Sequence, residues 1–271
     1  MKTVDQYHKA ISKRDTTLLL DTMYFPEELK QTANSNLKKA FSSETVKYGK
    51  LDYRTEVKGK TATVRVYGKH GEDTAFNLTK RNGKWCITDS AFIDTIRGQY
   101  YTEKAAALLE RSATASQLIA DYNLGIAEGL LQYRYVTSQD VKDALLTSMV
   151  DTYLPKVQQV YNDTVQIKSE IEELTPVKCS WFDLGVFHDL TVKGMDLTCS
   201  ANLELAQSLE LLRGVTGVPT ASTVDKMEQA LNHSGKSLSL DRESSTYIEQ
   251  ATEQIRKQTE AISQFSPGWH K

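Results

Sequence analysis

The spacing of apolar residues changes twice along the chain, and each change marks a change of structure. Val4, Tyr7 and Ile11 recur at helical spacing behind a Thr3/Gln6 pair that fits a capping box, predicting a first helix to Lys13. Asp15 is placed to cap a second, short helix carrying Leu18, Leu19 and Met23. That helix should stop at Phe25-Pro26, because a residue before proline is pushed out of helical geometry. A third helix from Glu27 to about Ser42 has Leu29, Leu37, Ala40 and Phe41 on one face. The period then becomes two. Leu51, Tyr53, Thr55 and Val57 alternate with Asp52, Arg54 and Glu56, and Lys58-Gly59-Lys60 turns the chain into Ala62, Val64 and Val66. Gly68 to Gly71 supplies the next turn, then come Thr74, Phe76 and Leu78, and Asn82-Gly83 is a strong hairpin signal before Trp85 and Ile87. Four antiparallel strands with one apolar face need a cover, which three preceding helices supply.

From Ala91 onward the apolar spacing settles to alternating threes and fours. Tyr101, Ala105, Leu108, Ser112, Ala115 and Ile119 begin a stripe that continues unbroken to Tyr133 on a helix of about 35 to 40 residues. Thr137 or Ser138 can cap a second long helix with Val141, Leu145 and Ser148, then Val160, Thr164, Ile167 and Ile171, facing inward; Pro155 should kink or divide it. Thr175-Pro176 reads as the start of a third, whose stripe runs from Leu184 through His188, Thr198 and Asn202 to Leu212 and ends at Gly214. A short helix near Ser222 to Asn232, stopped by Gly235, leads into a last one carrying Ala251, Ile255, Ile262 and Phe265. The expected architecture is a curved antiparallel α+β sheet domain covered by helices over residues 1–93. An all-α up-down-up-down helical bundle over 94–271, with one short extra helix, follows it.

The first part carries a resemblance. Three helices, then Val57-Lys58-Gly59-Lys60-Thr61-Ala62-Thr63-Val64 and Leu78-Thr79-Lys80-Arg81-Asn82-Gly83-Lys84-Trp85, make it similar to the nuclear transport factor 2-like superfamily. Within that superfamily it looks most like small bacterial domains often found in lipoproteins. The resemblance covers about a third of the chain and implies a cone whose concave sheet and helices enclose a pocket. Some relatives are isomerases or dehydratases; many only bind or assemble. Tyr53, Phe76 and Trp85 are the pocket candidates here. His8 and His70 fall on a helix and in a turn, and the Asp/His pairs of catalytic relatives find no matching positions, so no catalytic residue is assigned.

Charge and chemistry narrow the function classes. Lys plus Arg total 33 against 35 for Asp plus Glu, with neither sign gathered into a block, which argues against nucleic acid. No apolar run approaches the roughly 20 residues that span a bilayer, and Met1-Lys2-Thr3-Val4-Asp5 lacks the apolar stretch of a secretory signal. A cytoplasmic location is expected, with the cell envelope or secretion as the alternative if a signal was removed. Cys179 and Cys199 would stand about 30 Å apart on one continuous helix, so at most one bridge, involving Cys86, could form, and three reduced thiols are the expectation. No histidine follows a glutamate at Glu-x-x-His spacing, so neither metal nor cofactor is expected. His188, Thr198 and Asn202 place polar groups on a core stripe, where they either set register or, with Tyr122 or Tyr133 opposite, line a small ligand site. The leading expectation is a non-enzymatic binding or interaction protein for an unknown protein or small apolar ligand, in which the curved domain presents a pocket or sheet surface and the bundle acts either as a spacer or as a dimerisation element, with a homo-oligomer as one outcome. The alternatives are a small-molecule isomerase or dehydratase using Tyr53, and a ligand-sensing bundle around His188 and Asn202.

Overall fold

The computed structural model describes residues 2–40, 51–68, 71–89, 91–179 and 182–263. Phe41, Ser42, His70 and Phe265 lie outside them. The protein contains one four-stranded antiparallel sheet and several long helices, in two compact units. One unit comprises Met1–Thr102, Pro176–Leu184 and Lys257–Lys271; the other comprises Glu103–Thr175 and Gly185–Arg256.

In the first unit, α1 (Lys2–Lys13) buries Val4, Tyr7, Ala10 and Ile11. It ends on Arg14 in the left-handed region (φ 58°), where Asp15 N–H reaches back to the Ala10 carbonyl. The capping box is corrected: Lys2 is already helical, and the Thr3 hydroxyl donates instead to the Trp85 carbonyl. Asp15 caps α2 (Thr16–Thr22) by accepting from Leu18 N–H at 2.9 Å. After α3 (Glu27–Ala40), the meander β1 (Asp52–Lys58), β2 (Thr61–Gly68), β3 (Gly71–Arg81) and β4 (Lys84–Asp89) pairs in sequence order. Asn82 and Gly83 both take positive φ, as a two-residue hairpin requires. Val64, Val66, Phe76, Leu78 and Ile87 form one core with α1, α2 and α3. Val57 is a correction. It sits opposite Ala62 and so shares the inner face, but it lies on the edge strand and is 58% exposed. The Thr175-Pro176 helix start is a second correction. Residues 177–179 pair with 182–184, with Leu184 N–H on the Val177 carbonyl and Lys178 paired to Asp183, and the next helix starts only at Gly185. Cys179 therefore shares no helix with Cys199, although all three cysteines are free.

The second unit takes most of its residues from α4 (Ala91–Tyr135), α5 (Gln139–Glu172), α6 (Gly185–Leu212) and α7 (Ala221–Ser263). The α4 stripe is buried as its spacing predicts, from Ala105 and Leu108 to Ile119 and Ile126. Against α5 it runs antiparallel, with Arg111 on Glu170, Gly125 under Tyr153 and Gly129 under Met149. The start of α5 corrects the expected face: Val141 is exposed, and Leu146, Met149, Val150 and Leu154 turn inward. Pro155 lies exposed inside a helix that continues through it. Gly235 likewise breaks nothing, and α7 is one helix of 43 residues with no separate short helix before it.

The contact between α6 and α7 explains that last correction. Ser244, Ser237 and Ser208 each donate a 2.8 Å hydrogen bond across the pair, to the carbonyls of Gly194, Ala201 and Ala230. Each rung lies seven residues from the next on both helices, so small residues repeat along one antiparallel seam. Backbones can approach closely there, and each buried hydroxyl finds a partner. An apolar count misses such a seam because serine occupies core positions.

Candidate functional site

In the sheet unit, Tyr53 and Phe76 come together around a residue that the sequence places on its helix but not in the pocket. His8, buried on α1, has its ring 6.3 Å from that of Tyr53 and 5.7 Å edge-on to Phe76, with Tyr7 5.1 Å from Phe76. Burial holds the His8 imidazole below its usual pKa, and burial, aided by Asp5, pushes the Tyr53 phenol up. Both rings are thus neutral near pH 7, in keeping with edge-to-face aromatic packing. Trp85 packs against the same core from β4, its carbonyl held by Thr3.

The bundle candidates separate. Thr198 and Asn202 are buried, and each has a hydrogen-bond partner inside the protein. Asn202 Nδ2 donates to Thr164 Oγ1 at 2.9 Å, Thr164 donates to the Val160 carbonyl, and Thr198 Oγ1 meets Ser244 Oγ at 2.6 Å. His188 is corrected. Phe187 takes the core position, and His188 lines an open groove of about 340 Å³ with Glu172, Asp189, Val192, Lys193 and Asp196. Among the described residues, no three His, Cys, Asp or Glu side chains converge as metal ligands would.

A polar cluster the sequence reading missed joins α6 to α7. Glu204, 9% exposed, is clasped by Lys236 Nζ and by His233 Nδ1, the latter at 2.5 Å, beside a groove lined also by Gln229 and Asn232. The Lys236 hydrogen bond holds the Glu204 carboxyl below the usual range against the opposing cost of burial, and His233 adds to the depression. A depressed folded pKa gives stability that is complete above the unfolded value of about 4.3 and is lost as pH falls through the folded one. Glu204→Gln is therefore expected to remove part of the fall in the urea midpoint between pH 7 and pH 3.5. An equal fall in both proteins contradicts the assignment.

The fourth feature is an outer face of α4. Ala113, Gln117, Ala120, Leu124, Ala127 and Leu131 follow steps of four and three, as a helix-packing seam does, yet all six are exposed, Leu124 at 63% and Leu131 at 55%. The buried stripe of the same helix contains none of them. The spacing was present in the sequence, but the stronger inner stripe masked it. Scans against protein-family models, curated proteins and solved structures found no match for this chain. Among the described residues no helix is long and apolar enough to cross a membrane.

Proposed function

We propose that this chain is a non-enzymatic interaction protein that docks a helix of its partner on the outer seam of α4. In this reading α4 to α7 form an up-down-up-down bundle that presents the docking face. The smaller unit is a curved-sheet domain of the nuclear transport factor 2-like type, of bacterial kind, with Tyr53, Phe76 and Trp85 spent on its core. The observation that carries the reading is the exposed repeat of Leu124 and Leu131 with Ala113, Ala120 and Ala127. Large apolar side chains left in water at seam spacing are what a partner helix covers. Two further observations support it: Asn202 and Thr198 are satisfied by neighbouring side chains, and His8 and Tyr53 are packed among aromatic rings.

A photo-crosslinking residue in place of Leu124, in the full chain expressed in cells, tests this. It is expected to give a discrete adduct whose linked peptide, identified by mass spectrometry, is an apolar-faced helical segment. No more adduct from position 124 than from the exposed, charged position of Glu249 overturns the reading.

A further inference from the structure

The geometry points to a second copy of this chain as the occupant of the α4 outer seam, paired antiparallel about a two-fold axis near residue 122. This rests on the interaction reading above and names its partner. The seam is complementary to its own reverse. Laid antiparallel on itself, α4 sets Leu124 of one copy against Ala120 of the other, and Leu131 against Ala113. The same register sets Glu110 against Arg134, so that each end of the contact gains an ion pair. All six residues are exposed on α4, and among the described residues neither Glu110 nor Arg134 has an ion-pair partner within its own chain.

Each leucine thus meets an alanine, large against small, which lets two helices approach closely and interdigitate. Gln117 meets Ala127 in the remaining pair, and its amide is already engaged by Asp121 at 2.9 Å. Asp121 meets its own copy near the axis, on a flank open to water where like-charge repulsion is screened. Because the two halves are related by symmetry, the contact closes on itself and stops at two copies. The corresponding exposed row on α7, Val224, Leu231 and Leu238, lacks this self-complementarity: its reverse sets Leu238 against Glu228 and Val224 against Arg242.

Sedimentation equilibrium of the full chain tests the pairing. The wild type is expected at twice the 30.5 kDa of one chain. Leu124→Glu should weaken association about a hundredfold or more, since both copies lose a buried leucine and gain a charge at the contact. Leu124 is largely exposed, so the helical signal and urea midpoint of the dissociated chain should hold. Glu110→Arg should weaken association about tenfold through two like-charged pairs, and adding Arg134→Glu should restore it. A single-chain mass at every concentration overturns the pairing, as does an oligomer indifferent to all these changes. If the chain is monomeric but position 124 still cross-links a helix of another protein, self-pairing fails while the interaction reading stands.

Discussion

Gly194→Leu is expected to lower the stability of the helical unit by about 2 to 3 kcal/mol, read as a drop in the urea midpoint followed by far-UV circular dichroism. Gly194 lies on α6 directly against α7. A Cβ there would stand 2.6 Å from Ile248 Cδ1 and 3.5 Å from Tyr247 Cβ. Removing glycine from a helix interior gains about 1 kcal/mol in propensity. For alanine that gain nearly offsets the contact, because Ile248 Cδ1 is the far end of a flexible side chain and can move. For leucine it cannot, since the added atoms extend to where α7 itself lies, and separating the helices also strains the Ser244 bond to the Gly194 carbonyl. A midpoint unchanged or raised by leucine contradicts the close seam.

Asn202→Ala is expected to cost about 2 kcal/mol, while Asn202→Leu should remain within about 1 kcal/mol of the wild type. Truncation loses a buried hydrogen bond and leaves a void, and both terms destabilise. Leucine has the same branched skeleton and, though bulkier, leaves no void; it strands nothing on the facing helix because Thr164 keeps its bond to the Val160 carbonyl. The contrast separates packing from binding. A residue kept for a ligand gains nothing from a side chain that fills its space, so a large loss in the leucine variant contradicts the packing role. Denaturant midpoints of the two variants at pH 7 settle the comparison.

Much of the secondary structure was legible because periodicity is a direct image of burial. The α4 stripe, the meander and the Asp15 cap follow from spacing and from side-chain chemistry at helix ends. The errors also have physical sources. Gly235 was read as a stop and is locally unfavourable in a helix, but tertiary contacts along α7 outweigh one weak residue, and Pro155 does not divide α5. Thr175-Pro176 has the chemistry of a helix start, yet hydrogen bonds between residues 177 and 184 hold the chain in a loop first. Placing His188 inward was an error of one position, which moved Phe187 out of view.

The site was harder to read than the fold. Thr198 and Asn202 were found because polar residues on an apolar stripe stand out, but spacing does not reveal that Thr164 and Ser244 satisfy them. Glu204, His233 and Lys236 come from two helices and converge only once α6 and α7 are paired, and no single-helix pattern shows this. His8 was placed on its helix correctly, but its contacts with Tyr53 and Phe76 depend on how the helix covers the sheet. The α4 outer seam was missed because the inner stripe of the same helix is stronger, and only its exposure in the folded chain distinguishes it from a second core face.

A pair of distances from one dipolar measurement tests the claim that this outer seam is where the protein meets its partner. With a spin label at Thr114, in a chain whose three cysteines are replaced, antiparallel pairing about residue 122 separates the two labelled positions by 16 residues of helix, about 24 Å at ~1.5 Å per residue. At Glu128 the same geometry gives 12 residues, about 18 Å. Pulsed dipolar spectroscopy is expected to return the longer distance from Thr114 and the shorter from Glu128. Equal distances near the ~10 Å spacing of packed helices, or no interchain coupling at either position, contradict the account.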